Sequence, residues 1–434
     1  MKILNTPQLI ARAFLLAGVA FFSVNAFAEN NPSAVIGIAS IDIAPSALTK
    51  FITLSLKDHP DLLAAKADVE SAKAALRAAD QAIYNPQLEL DYEDAEVTTQ
   101  TVGISQTIDW GDQQGSRNAV ANAQLVKAMA AYEMATQNIM NKVLGGFAEY
   151  QTGTELAQLS RQTFELMLGF KQIAEQRYRA GDLNQVELNL ARLAYNQALM
   201  DQAGTLSNAT EARESLRALL GALPKTVPAL PEQLPAPTLQ DNLESFLQQL
   251  PVIRAQLADV EIARKQVELR KSEKAWDPTI SVSAGTEGEE DLIGFNLSIP
   301  LNIRNSFSAE VDAAQQDLIA NQQRTQLAYR DARGRLIVTT ERYKNLLNAW
   351  NSWRENSRDS VDQQLVLIKQ LWQAGDISAA DYLLQLKQAL ETQATGFELR
   401  NQLWQVAFDW MSQTSTIDNW LNIEIMTPAN KKQD

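Results

Sequence analysis

The chain has 434 residues, 45% of them hydrophobic, with no cysteine and one histidine, His59. That length can bury sizeable cores, while the cysteine and histidine counts exclude disulfide scaffolds, thiolate nucleophiles, cysteine-based zinc or iron–sulfur sites and multi-histidine metal centres. With 38 basic against 52 acidic residues the net charge is −14, the wrong sign for gripping phosphate backbones, so no nucleic-acid partner is expected. A serine-hydrolase triad would have to pass through His59, and no phosphate-binding glycine loop, HExxH or GxSxG occurs, so neither an enzyme nor a cofactor is expected.

Residues 1–28 read as a secretory signal peptide. Lys2 and Arg12 precede the apolar run 13–24, and Ala26-Phe27-Ala28 supplies the small-x-small end. The run falls short of the roughly 20 residues needed to span a bilayer, and no later stretch reaches that length. No cysteine follows Ala28 to carry an acyl anchor.

The remainder is one plan written twice, with repeats at 29–221 and 241–413, a proline-rich linker at 222–240 and a tail at 414–434. Ala67-Asp68-Val69-Glu70 recurs as Ala258-Asp259-Val260-Glu261, and Asn85-Pro86 recurs as Asp277-Pro278. Ala180-Gly181-Asp182 recurs as Ala374-Gly375-Asp376. In chain order each repeat predicts a helix, two strands, a very long helix, a turn and a long returning helix. The first helix covers 61–84 and is stopped by Asn85-Pro86. The long helix covers 114–180 with a possible bend at Gly145-Gly146, Gly181 stops it, and the return covers 184–220. The linker holds prolines 224, 228, 231, 235 and 237, which forbid helix and favour extended chain. The second repeat follows with helices at 252–276, 308–374 and 378–410. Helices this long belong to coiled coils or stacked helical tubes.

The strands carry a period of two. Val102, Ile104, Ile108 and Trp110 alternate with Gly103, Ser105, Thr107 and Asp109, and Ile293, Phe295, Leu297, Ile299 and Leu301 with Gly294, Asn296, Ser298 and Pro300. Leu88, Leu90 and Tyr92, and Ile280, Val282 and Ala284, alternate with polar or small residues in the same way. One apolar and one polar face fit an outer-membrane barrel with a wet lumen, or else a soluble sheet resting on a core. Four strands cannot close in lipid, so a membrane reading requires several copies of the chain to share one barrel. Both hairpins leave from and return to long helices, which places 94–100 and 287–291 outside and every helix in the periplasm. Trp110 then falls at the periplasmic end of its strand, where an aromatic girdle is expected, whereas Trp404, Trp410 and Trp420 read as packing residues.

The duplicated layout, the Asn85-Pro86 and Asp277-Pro278 strand entries, the stretch Gly294-Phe295-Asn296-Leu297-Ser298-Ile299-Pro300-Leu301 and the paired turns Tyr178-Arg179-Ala180-Gly181-Asp182 and Trp372-Gln373-Ala374-Gly375-Asp376 carry a resemblance. With these in order, the chain resembles the TolC family of outer-membrane efflux channels. The resemblance implies an α+β membrane protein in the outer membrane of a Gram-negative bacterium. Long antiparallel helices would form a periplasmic α-barrel, and four strands per chain would contribute to a twelve-stranded transmembrane β-barrel shared by a homotrimer. It also implies outer-membrane lipid around the barrel, a periplasmic adaptor (membrane fusion protein) as docking partner, and an inner-membrane efflux pump of RND type. The size, the turn sequences and Leu56-Lys57-Asp58-His59-Pro60-Asp61-Leu62 look most like the branch paired with cobalt–zinc–cadmium exporters. Heavy-metal cations are the cargo expected on that basis. A multidrug or type I protein-secretion channel is the alternative, and a periplasmic coiled-coil adaptor a more distant one.

The resemblance also places a periplasmic gate at the helix tips. Asp381 falls on the family's first gate aspartate and Trp372 on a tyrosine that helps lock the coils, while Glu187 is the first-repeat counterpart of Asp381. The family's turn arginine is replaced by Ile377 and its second gate aspartate by Leu384. A ring of Asp381 would attract cations and repel itself, whereas the plainer reading is a solvated helix carboxylate. Gly181 and Gly375 are helix stops, and the exposed tips with Asp182 and Asp376 are where an adaptor hairpin is expected to dock. Glu287, Glu289, Glu290 and Asp291 could attract hard divalent cations, but a charged loop that keeps a surface solvated explains them as well. His59, without a second soft ligand, is not expected to bind metal.

Overall fold

The computed structural model describes residues 43–223, 227–238, 242–356 and 358–424. The expected signal peptide lies outside the described residues. The first repeat runs α1 (Ser46–Lys57), α2 (Pro60–Ala79), β1 (Gln87–Asp94), β2 (Thr98–Thr107), α3 (Gln113–Ala180) and α4 (Gln185–Leu220). The second runs α5 (Leu243–Gln249), α6 (Pro251–Ser272), β3 (Thr279–Glu287), β4 (Glu290–Ser298), α7 (Ser308–Asn356), α8 (Arg358–Ala374) and α9 (Ala379–Gln413), followed by α10 (Ile417–Leu421). Among the described residues no helix is long and apolar enough to cross a membrane.

The 68 residues of α3 make a helix about 100 Å long at 1.5 Å per residue. It runs through Gly145-Gly146 without interruption, so these glycines do not end the helix. They allow neighbours to approach: a Cβ on Gly145 would meet Gln405 Oε1 at 2.8 Å, and one on Gly146 would meet Leu219 Cδ1 at 2.9 Å. Three short helices were not expected from the sequence. α5 has seven residues and α10 five, too short to declare themselves by periodicity, while α1 has no acidic residue in its first turn and no side-chain cap to announce its start. α1 buries Leu48, Ile52 and Leu56, and α10 buries Ile417, Trp420 and Leu421, which turns the start of the expected tail into core.

α3 is the central element and packs against α2, α4, α6 and α9. Near its middle, Phe147, Met140 and Leu144 are fully buried, as are Phe408, Trp404 and Trp420 at the end of α9 and in α10. The linker is fastened across this region rather than hanging free. The indole N–H of Trp404 donates to the Pro231 carbonyl at 3.0 Å, that of Trp350 to Glu232 at 3.2 Å, and the Tyr343 hydroxyl donates to the Pro235 carbonyl. Prolines leave these carbonyls without a local helical partner, and aromatic donors from α7 and α9 satisfy them.

The four strands form one antiparallel sheet in the order β1-β2-β3-β4. Its register joins the two repeats. Leu90, Val102, Ala284 and Ile293 form one row across all four strands, and Leu88, Ile104, Val282 and Phe295 form the next. The opposite face carries Glu89, Gly103, Ser283 and Gly294 in one row and Asp91, Thr101, Gly285 and Leu292 in another. Apolar residues therefore meet apolar residues across all four strands in these two rows, and that face is exposed. Gly285 is required here, because a Cβ on it would lie 1.8 Å from the Gln100 carbonyl oxygen.

Candidate functional site

Two regions can carry transport chemistry: the paired helix tips and the sheet. The tips repeat each other in backbone detail. Gly181 sits in the left-handed region at φ 85°, its N–H donates to Tyr178 O at 3.1 Å, and the Asp182 N–H donates to Arg177 O at 2.9 Å. Gly375 at φ 84° does the same, with its N–H on Trp372 O at 3.2 Å and the Asp376 N–H on Leu371 O at 2.9 Å. These are Schellman C-caps, which need a residue without Cβ at the left-handed position. Asp182 and Asp376 are thereby presented, exposed, one residue past each stop.

The two expected gate carboxylates occupy equivalent places in the helix starts that follow. Asn184 Oδ1 accepts from the Glu187 N–H at 3.0 Å while Glu187 Oε2 accepts from the Asn184 N–H at 3.2 Å, a complete capping box. In the second tip Ser378 Oγ accepts from the Asp381 N–H at 3.1 Å and donates to Asp381 Oδ2 at 2.7 Å. Both carboxylates stand in a first helical turn, where the helix dipole favours negative charge. Glu187 is half-buried and Asp381 is exposed. Within one chain, both have local structural roles.

Trp372 is placed differently. It is fully buried in a core formed by both tips, with Phe170 and Ala174 from α3, Leu188 and Ala191 from α4 and Tyr382 and Leu386 from α9. Its ring centroid lies 5.2 Å from Phe170, edge to face, and 5.3 Å from Tyr382, stacked. Burial pushes the Tyr382 hydroxyl above its ordinary pKa, so it stays neutral.

One residue of this cluster was not singled out in the sequence. Arg177, in the last turn of α3, lies with its guanidinium 4.5 Å from the centre of the Trp372 ring. Its Nη2 donates to the Trp372 carbonyl at 2.9 Å and to the Gln373 carbonyl at 3.2 Å. A cation from the first repeat thus closes the C-terminal end of α8 in the second, through hydrogen bonds, the helix dipole and a cation–π contact. Its repeat counterpart is Leu371, so the bond runs one way only. A charged residue standing where the other repeat has an aliphatic one was the available signal.

At the other end, Asp277 is a buried hub where strands meet helices. Its carboxylate accepts from the Tyr84 hydroxyl at 2.8 Å, the Trp110 backbone N–H at 3.1 Å and the Gln113 side-chain amide at 2.7 Å. Asp109 starts α3 by accepting from the N–H groups of Gln113 and Gln114, both at 2.8 Å. The sheet is thereby tied rigidly to the long helices. In the β3–β4 hairpin Glu287 pairs with Glu290 across a turn whose Gly288 has φ 62°. Among the described residues no group of three or more His, Cys, Asp or Glu side chains is gathered so as to hold a metal ion.

Comparison with known proteins places this geometry. The family described as "Outer membrane efflux protein" matches residues 51–222, most of the first repeat. The cobalt-zinc-cadmium resistance protein CzcC of Cupriavidus metallidurans is 27% identical over 333 residues, covering 71% of this chain and 78% of CzcC. Among solved structures, the Neisseria gonorrhoeae MtrE outer membrane channel in its open state superposes with a TM-score of 0.72 at 17% identity, covering 86% of this chain and 90% of MtrE. The outer membrane protein VceC of Vibrio cholerae gives 0.68 at 16% identity, over 85% and 96% of the two chains.

Proposed function

We propose that the chain is a TolC-type outer membrane efflux protein and the passive exit duct of a tripartite system that expels heavy-metal cations. It is an efflux channel of the outer membrane and not an enzyme. The finer reading has three parts: a shared barrel, a docked adaptor with its pump, and a metal cargo.

The sheet carries the first part. β1 and β4 each leave one edge without a partner among the described residues, and β1 runs antiparallel to β4. The β4 edge of one copy therefore pairs antiparallel with the β1 edge of the next, and the ring closes with every backbone group satisfied, as lipid demands. Three copies give the twelve strands that the family implies. The apolar rows then face lipid, and the rows that carry Glu89 and Asp91 face the lumen.

The tips support the second part. Two rigid, glycine-capped turns project Asp182 and Asp376, and these form the surface on which an adaptor hairpin docks, the adaptor being fed by an inner-membrane pump of RND type. Trp372, Asp381 and Glu187 belong to the gate at this end, with Arg177 holding the second hairpin to the first. The similarity to CzcC, whose name specifies cobalt, zinc and cadmium resistance, supports the third part.

Growth of a strain lacking this gene, with and without the intact gene restored, tests the cargo. The expected result is sensitivity to a few of zinc, cobalt, cadmium, nickel, copper and silver, with dyes, detergents and antibiotics tolerated. Sensitivity to dyes and drugs with metals tolerated would assign a multidrug role instead.

A further inference from the structure

Away from the tips and the sheet, the helical wall contains a recess. The end of α9 and the start of α6 border it, between the long helices α3 and α7. Its volume is about 380 Å³, at the small end of the roughly 300–1,000 Å³ of small-molecule pockets. Met134, Leu250, Pro251 and Ala328 give it apolar walls. Leu250 and Pro251 are buried, whereas Asn138, Val252, Asp331 and Arg335 are exposed and mark the mouth.

Two glutamines from different helices line this recess, and each has a buried carbonyl oxygen without a partner. Gln137 of α3 is 4% exposed, and its Nε2 donates to Asp418 Oδ1 at 2.9 Å. An ionised carboxylate can only accept, so this bond fixes the amide orientation and leaves Oε1 over. Gln413 closes α9, and its Nε2 donates to Thr339 Oγ1 at 3.1 Å while its Oε1 stays unpaired. Buried acceptors are seldom left without a donor, so the recess is short of hydrogen-bond donors. Ser412 and Ser415 also line it, but hydroxyls turn to donate or accept and set no preference of their own.

Charge does not select the occupant. α6 starts and α9 ends at the recess, so helix ends of opposite sign border it and offset each other. Asp331 and Arg335, one of each sign, stand together at the mouth. An ion would shed its water between apolar walls for no net attraction. A neutral donor on an apolar body meets both the orphaned oxygens and the walls. The thioether of Met134 favours an aromatic ring as that body.

We propose that this recess is a binding site for a small neutral aromatic molecule of the phenol class, whose hydroxyl donates to Gln137 Oε1 while its ring lies against the apolar walls. The site belongs to the wall of a single chain. It is chemically separate from a metal cargo and does not depend on the barrel reading.

The full-length protein in lipid nanodiscs would be titrated with para-ethylphenol and with para-ethylanisole, the same ring with its hydroxyl hydrogen replaced by methyl. Saturation-transfer NMR would read binding, with empty nanodiscs as the blank for partition into lipid. The phenol should bind at least about fivefold more tightly than the ether, because only the phenol supplies a donor. Gln137→Met removes the acceptor at similar side-chain length and should erase that preference. Ala332→Phe fills the recess from α7 and should abolish binding of both compounds. Equal affinity for the two compounds in the native chain, or binding of neither above the blank, would overturn the proposal. A preference that survives in Gln137→Met, or binding that survives in Ala332→Phe, would overturn it too. Melting curves would check the fold of each variant, and the comparison in the native chain decides the matter even where a variant fails to fold.

Discussion

Arg177 binds the end of α8 to the first repeat through two side-chain hydrogen bonds, and its loss should be felt there first. Arg177→Ala removes charge-assisted bonds to two carbonyls and a cation–π contact, together about 2 kcal/mol. The expected outcome is a looser tip, seen as larger or longer openings in planar bilayers. Arg177→Lys should rescue it only partly, because a point charge cannot stack on the indole and also fork to two carbonyls. Unchanged currents in Arg177→Ala would remove it from the gate. Asp381 needs a different substitution, since it also serves the start of α9. Asp381→Asn keeps an acceptor for Ser378 and removes only the charge. A fall in cation selectivity would assign the charge to the gate, whereas the same selectivity with an ordinary fold would leave it a helix cap.

Among the elements, the long helices and strands were legible because their periods persist. Leu88 to Tyr92 and Ile293 to Leu297 alternate without a break, and α3 covers 68 residues without proline. The register was not legible, because pairing of β2 with β3 across 172 residues, as between Thr107 and Thr279, leaves no local trace. The tip glycines announced their turns, but the reach of Arg177 to Trp372 depends on how two hairpins pack, which no spacing encodes. Glu187 and Asp381 were visible as acids, while their capping roles needed Asn184 and Ser378 to be read with them. α10 was hidden by its length, and its Asp418 makes a testable contribution. Burial raises the carboxyl above its usual range, with the Gln137 amide bond opposing and the charge of Glu133 adding to the rise. An acid whose pKa is raised on folding costs nothing below its unfolded value, and its penalty grows as pH climbs through the folded value. Asp418→Asn, which can still accept from Gln137, should therefore raise the melting temperature more at pH 8 than at pH 4. An equal shift at both values would refute the assignment. Close packing of α9 on α7 gives a second test: a Cβ on Gly396 would lie 2.2 Å from Trp353, so Gly396→Ala should cost about 1–3 kcal/mol in denaturant unfolding.

At the scale of the whole molecule, one chain is an incomplete object: an exposed apolar face, two open strand edges and two rigid tips. Under the proposed function these features would meet, respectively, lipid, further copies of the chain and an adaptor. A duct assembled in this way would do little chemical selection, and its metal cargo would be chosen upstream by the pump. Everything else in the account depends on the strands of several copies closing into one barrel. The measurement that tests this most directly is the native mass of the detergent-extracted protein, taken together with its conductance in a planar bilayer. The account predicts a particle of three chains that requires detergent and conducts ions. A monomer that stays in solution without detergent and carries no current would contradict it.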